Sequence, residues 1–274
     1  MEVNVLTHTP DPLKAVYVAA RTCYSALAPE VLWEKAVEPS KMLELVQKIV
    51  GSGHLSVLEH VNFTFGITGV SRVTTHQLVR HRLASYSQQS QRYVTEQGDF
   101  DYVIPPAIAQ HPQLKARFEG LMKRLSEEYH FLLEQGIEGE DARYIFPNST
   151  LSNIVVTMNA RQLLHFFELR TCSRAQWEIR ELSWRMLREA YKVAPWIFAK
   201  AGPTCLSGLC SEGAHTCGVP VKEENRDKIF ELLDSQKFVS HSQPVASSDV
   251  SDLVGFERAL APLSVPGSNG NGQS

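Results

Sequence analysis

Apolar side chains recur along this chain with two different periods. Residues 2–6, EVNVL, alternate and predict a short strand. Asp11, with Pro12 at the first helical position, predicts a helix over 11–24. Met42, Leu43, Leu45, Val46 and Ile49 stand at helical spacing within 41–50, with Ser40 the expected cap and Gly51 the expected end. In VNFTFGITG, 61–69, Val61, Phe63, Phe65 and Ile67 fall at every second position, which is a strand period. Helix is expected from Ser71 to Leu83, and a longer amphipathic helix over 113–135. GIEGEDARYIFP, 136–147, holds a short helix stopped by Pro147, and LSNIVVTM, 151–158, is rich in strand formers. The helical pattern then continues from Asn159 to Val193, ended by Pro195. Unbroken, it would run about 50 Å at roughly 1.5 Å per residue.

After Gly218 the pattern changes. Residues 221–234 predict one more helix, and Ser, Gly, Pro and Asn dominate from about 235 to 274. Residues 1–220 therefore read as one compact α+β domain of mixed helices and a small sheet, and 221–274 as a polar, flexible extension. No internal repeat is present.

Composition narrows the partners. The chain has 274 residues, 27 basic and 30 acidic, for a formal charge of -3, which disfavours bulk nucleic-acid binding. No apolar run approaches the length of a bilayer span, so no membrane partner is expected. The start, MEVNVLTHTPDPLKA, lacks the apolar core of a signal peptide. Five cysteines, an odd number, fit a reducing compartment better than a disulfide framework. A cytoplasmic protein is the expectation.

Against that near-neutral background RHRLASYSQQSQRY, 80–93, gathers Arg80, His81, Arg82 and Arg92 with no acid among them. The common nucleotide motifs do not explain it. GSGHLS, 51–56, lacks the third glycine of a dinucleotide fingerprint and follows a helix. GxxxxGK[ST] and GxSxG are absent. His54, Glu59 and His60 match neither HExxH nor HxxEH, and no metal is expected there.

Four separated segments share one chemistry, cationic and amide donors: GHLSVLEH (53–60), QLVRHR through SQQSQR (77–92), Arg143 in DARYIFP, and NARQLLHFFELR (159–170). Arg161 and His165 lie four apart on one helix face, beside Leu163, Leu164, Phe166 and Phe167, which must largely be buried. Such cations either meet carboxylates, with Glu59, Glu168 and Glu178 within reach in sequence, or face an anionic ligand. Singly, each has a plain reading: Arg80 and Arg82 as a solvated helix end, His81 as a structural histidine, Ser90 as a loop hydrogen-bonder. The combination points to an anion.

The combination also carries a resemblance. Arg80-His81-Arg82, seven residues, then Ser90 matches RHRx₇S, the signature of the flavin-dependent thymidylate synthases. GHLSVLEHVNFTF (53–65) and NARQLLHFFELRTCSRAQWEIR (159–180) resemble that family's other blocks, in the same order, over roughly residues 1–200. The resemblance implies a methyltransferase that converts dUMP to dTMP, with methylenetetrahydrofolate as carbon donor and FAD as cofactor, re-reduced by NADPH. It implies a compact α+β fold and a homotetramer whose active sites are shared between subunits.

By the same resemblance, His54, Ser56, Arg80, His81, Arg82, Gln88, Asn159, Ala160, Arg161 and His165 would hold FAD. Gln77, Leu78, Val79, Arg80, Gln88, Gln89, Ser90, Gln91, Arg92 and Arg143 would hold dUMP. Arg170 matches the catalytic residue at the uracil ring. Ser90 is assigned to holding the nucleotide, because no base is evident to activate its hydroxyl. Two positions depart from some relatives: His165 stands where they have Asn, and Arg174 where they have His. Both keep a donor.

Cys172, Cys205, Cys210 and Cys217 leave a question open. Four thiols can hold a structural zinc, but their spacings lack a CxxC pair, and plain free thiols are the simpler expectation.

Overall fold

A computed structural model of the chain describes residues 1–94 and 98–235. Of the extension expected over 221–274, Glu223–Ser235 forms a helix and the remainder from 236 lies outside the described residues. Strand β1 (Glu2–His8) is followed by helices α1 (Pro12–Thr22), α2 (Pro29–Glu34) and α3 (Pro39–Gly51). A 3-10 turn, Leu55–His60, leads into β2 (Asn62–Ser71), α4 (Arg72–Leu78) and β3 (Ala84–Gln88). Then come α5 (Pro106–Ala109), the long α6 (Pro112–Glu134), α7 (Gly139–Ala142) and β4 (Leu151–Asn159). Helices α8 (Ala160–Arg170), α9 (Trp177–Val193), α10 (Pro195–Phe198) and α11 (Glu223–Ser235) complete it. This is the α+β class that the residue pattern predicts.

The four strands form one antiparallel sheet in the order β1-β2-β4-β3. Alternation sets its two faces. Phe63, Phe65 and Ile67 of β2 and Ile154, Val156 and Met158 of β4 are buried together. Thr64 and Thr157 stand opposite each other on the other face and hydrogen-bond at 2.9 Å. Phe166 and Phe167 of α8, Ile179, Leu182 and Met186 of α9, and Phe198 of α10 belong to the same core. Phe198 sits edge-on to both Phe63 and Phe167, 5.6 and 5.8 Å away.

Local signals placed several boundaries well. Asp11 caps α1 in a left-handed conformation, φ 45°, and accepts from Lys14 N–H at 3.2 Å, with Pro12 at the first position. Other boundaries moved. Ser40 does not cap α3: that helix starts at Pro39 after Glu38 and includes Gly51. The helix begun at Ser71 stops at Leu78, not Leu83, and 84–88 is an edge strand. The Tyr86 hydroxyl lies 2.8 Å from the carbonyls of both Leu78 and His81 and shares its one proton between them, at carbonyls that a longer helix would have used. The span from Asn159 to Val193 is two helices rather than one. Asn159 ends β4 and caps α8, accepting from Gln162 N–H at 2.8 Å. Gln176 caps α9, accepting from Glu178 and Ile179 N–H groups at 3.1 and 3.2 Å. Helix α11 packs on α9: Ile229 and Leu233 enter the core, and Phe230 meets Trp184 and Tyr191.

One buried carboxylate ties α4 to α9. Glu178, 3% exposed, accepts from the Ser71 amide at 2.7 Å and from the Ser71 hydroxyl. That hydroxyl in turn accepts from Thr74 N–H at 3.2 Å and caps α4. Glu178→Ala would orphan a buried amide and unseat the cap, at a cost of about 2–3 kcal/mol. The expected result is a lowered urea midpoint at fixed protein concentration, and a midpoint equal to wild type would count against this network.

Candidate functional site

The cationic segments meet because β3 pairs with β4. Ala84 lies opposite Met158 and Gln88 opposite Ile154, so the chain just before β3 runs beside the start of α8. Arg80-His81-Arg82 occupies that turn.

At its centre is a contact between His81 and Arg170. His81 is only 7% exposed, and its ring stands edge-on to Phe166, centroids 4.9 Å apart. Arg170 Nε donates to His81 Nε2 at 3.0 Å. The ring of His165 is 6.5 Å away, also edge-on. Burial, the Arg170 charge and His165 together push the His81 pKa down to about 4. His81 is thus a neutral acceptor near pH 7. Burial also lowers the Arg170 pKa, which for a guanidinium still leaves it charged. Neither Glu168 nor Glu178 takes Arg170: Glu168 is exposed, and Glu178 is committed to Ser71.

Arg80 donates through Nη2 to His76 Nε2 at 3.3 Å. Arg72, His76 and Arg80 follow one another at intervals of four along and just beyond α4. Arg72 and His76, with Thr75, Val79, Gln88 and Asn148, line a cavity of about 300 Å³. Gln88 Nε2 donates to the hydroxyls of Thr75 and Ser152, both at 3.0 Å. Burial lowers the Arg72 pKa, and the nearby Arg143 charge lowers it further. Gln77 and Gln91 are half-buried, Leu78 is buried, Val79 and Arg82 are exposed, and Gln89 N–H donates to Asn153 O at 2.8 Å.

The cations are not all free of acids, as the local sequence suggests. Arg92 pairs with Glu140 at 2.5 Å, both half-exposed, and Arg143 Nε donates to the Glu140 carbonyl at 2.9 Å. Arg161 pairs with Glu59 at 2.5 Å, one of the carboxylates within reach in sequence. Exposed pairs of this kind contribute little and exchange readily. His54, just before the 3-10 segment, and Ser56 within it are exposed, and that segment packs against α8. Asn159 spends its side-chain oxygen on its cap, and Ala160 N–H donates to Val61 O at 2.7 Å. The Ser90 hydroxyl accepts from Arg92 N–H at 3.1 Å.

Arg72, His76, Asn148 and Glu140 were missed from sequence. The repeat of four linking Arg72, His76 and Arg80 was a usable signal. Asn148 and Glu140 arrive from the chain between α6 and β4, and no local pattern marks them.

The arrangement offers planar guanidinium forks and amide donors on a partly dry surface, with one arginine oriented by a neutral partner. That suits phosphates and an anionic ring. Comparison with known proteins bears on this chemistry. A profile described as "Thymidylate synthase complementing protein" matches residues 4–196. A flavin-dependent thymidylate synthase of Geobacter sulfurreducens is 52% identical over 219 residues, covering 80% of this chain and 94% of that protein. One from Clostridium tetani is 45% identical over 246 residues, covering 84% and 97%. Among solved structures, a UMP/dUMP methylase from Streptomyces cacaoi bound with 5-Br dUMP aligns with a TM-score of 0.63 at 26% identity, over 72% of this chain and 93% of that one. With most of its length matched by these relatives, the chain belongs to the flavin-dependent thymidylate synthase family.

Proposed function

We propose that the chain converts dUMP to dTMP, with methylenetetrahydrofolate as carbon donor, FAD as resident cofactor and NADPH as the source of electrons. The observation that carries this reading is Arg170 held by a neutral His81 beside the Arg80 turn. Family membership supports it, as does the S. cacaoi methylase of similar fold.

The donor set fits the ligands. FAD and dUMP together bring three phosphates, and Arg80, Arg82, Arg143 and Arg161 supply charge with Gln77, Gln88 and Asn159 as amide partners. In this reading Arg82, Arg161, His165, His54 and Ser56 face the flavin. Gln77, Arg143 and the 88–92 segment face the nucleotide. When bound and reduced by NADPH, the flavin would supply, as FADH2, the two electrons that convert the transferred methylene to a methyl.

Arg170 does the distinctive electrostatic work. A carboxylate partner would cancel much of its field. Neutral His81 orients Nε and leaves that field intact, with two terminal nitrogens to present N–H groups to a ligand. Placed along the uracil edge, they stabilise negative charge at N3 and its flanking carbonyls. C5 then becomes nucleophilic without a covalent enzyme adduct. Phe166 and the half-buried setting limit water, which strengthens the effect.

The active form is a homotetramer with shared sites, working in the cytoplasm. Leu83, Tyr93 and Tyr144, 74%, 80% and 83% exposed on this chain, flank the cationic segments and suit burial by another subunit. Among the described residues no helix is long and apolar enough to cross a membrane.

The decisive assay is tritium release from [5-³H]dUMP with the folate and NADPH, with and without FAD. Release that requires FAD, from a protein that purifies yellow, is the expected result; a chain that takes up no flavin would overturn the proposal. Arg170→Ala should keep its flavin spectrum and lose roughly 10²–10³-fold in tritium release. Near-normal release would remove Arg170 from the chemistry. The histidine gives a pH test. Its folded pKa, about 4, lies below the ordinary 6.5, so the unfolded chain takes up the proton first. Its contribution to stability is therefore complete above pH 6.5 and is lost as pH falls toward 4. His81→Gln keeps an acceptor and cannot titrate, so its urea midpoint should fall less across that window than wild type. Equal falls would exclude a neutral buried His81.

A further inference from the structure

Four of the five cysteines have no part in the site above, and the fold brings them to one place. Cys172 lies in the turn between α8 and α9. Cys205 lies in a short 3-10 turn, Thr204–Leu206, and Cys210 and Cys217 lie in the chain leading to α11. All four are half-buried and line a single cavity of about 310 Å³. The fifth, Cys23, is exposed at the end of α1.

The cavity is built around sulfur. Val221 N–H donates to Cys205 Sγ at 3.4 Å, and Cys217 Sγ donates to the Val219 carbonyl at 3.4 Å. Thr204 and Ser211 close the intervening loop, their hydroxyls 3.1 Å apart and Ser211 N–H donating to Thr204 Oγ1 at 3.2 Å. Amide-to-sulfur bonds stabilise a thiolate, as outer partners do around a metal. Arg174 on the same wall offsets negative charge.

We propose that Cys172, Cys205, Cys210 and Cys217 bind one soft divalent cation, Zn²⁺ in type, which fastens the 203–221 loop to the turn that follows Arg170. Thiolates select soft or borderline cations over Mg²⁺ or Ca²⁺, which require oxygen ligands. Four of them make a closed, structural site. Each thiol releases its proton on binding. Among the described residues no three side chains of the metal-binding types stand close enough to hold an ion, and binding therefore requires the 203–221 loop to contract. Gly213 and Gly218, at φ 52° and 74°, provide left-handed turns on either side of that movement. Cys172 is two residues beyond Arg170, so the ion is a positioning element for the end of α8 and takes no part in the reaction.

The test uses the full chain, expressed with zinc and freed of loosely held metal on a weak chelating resin. Elemental analysis should give about one zinc per chain. A thiol reagent should find only Cys23 until a strong chelator is added, and then all five. Cys205→Ser and Cys217→Ser should each lower zinc content by about tenfold or more, while Cys23→Ser leaves it unchanged. Should the serine variants fail to fold, Co²⁺ loaded into the wild-type chain should show a thiolate-to-cobalt charge-transfer band and the visible bands of tetrahedral cobalt. Wild-type chain that takes up neither Zn²⁺ nor Co²⁺, with all five thiols reactive, would overturn the proposal. A disulfide between any two of the four, or zinc retained in both serine variants, would do the same.

Discussion

The edge ladder of β3 on β4 is the constraint from which the candidate site follows. Its register, Ala84 against Met158 through Gln88 against Ile154, lays the RHR turn beside the first residues of α8. A slip of one residue would exchange the faces of β3 and carry His81 away from Phe166 and Arg170. Neighbouring contacts oppose such a slip. Tyr86 holds the carbonyls of Leu78 and His81, Gln88 bonds to Ser152, and Gln89 N–H bonds to Asn153. The Glu178–Ser71 pair fixes α4, from which that turn emerges, to α9. The site is thus positioned by backbone pairing and buried hydrogen bonds, while its charges are left for other work.

Those charges divide by their partners. Arg92 and Arg161 carry carboxylates, Glu140 and Glu59, in half-exposed pairs that a phosphate could replace at small cost. Arg80 and Arg170 carry imidazoles instead, His76 and His81. A neutral imidazole orients a guanidinium without neutralising it. Burial that keeps His81 uncharged is therefore part of what keeps Arg170 an effective cation. The same burial makes it costly to bring a proton to His81, so the electrostatics of the site and the acid sensitivity of the fold have one origin.

Much of this was legible in the chain, for reasons that separate cleanly. The alternation in β2 and β4 and the Asp11-Pro12 start of α1 are local signals and gave elements close to those observed. The α+β class and the family signature were legible too, the latter through RHRx₇S. What failed was decided across the chain. ASYSQ has weak strand character alone and becomes a strand because β4 offers an edge. The helical pattern from 159 to 193 hides its break, because neither Gly nor Pro marks it and Gln176, which is not one of the usual cap residues, caps α9. Acids near the cationic cluster could not be read from RHRLASYSQQSQRY, since Glu140 arrives from 48 residues away. The gathering of the cysteines is invisible to spacing rules for the same reason: Cys172 joins the other three only when α9 and α10 fold back.

The choice of arginine at position 170 follows from these surroundings. A lysine ammonium is a compact point charge, and burial pushes its pKa down, toward the neutral amine. At a half-dry site beside His81 and His165, a lysine would be drawn to release its proton. A guanidinium keeps its proton under the same burial and adds a planar fork. One nitrogen of that fork is committed to His81 and two remain for a flat ring edge. Losing the histidine therefore differs from losing the arginine: the charge stays but its direction is no longer fixed. The chemistry proposed here needs both, a cation that cannot be titrated away and a neutral neighbour that aims it.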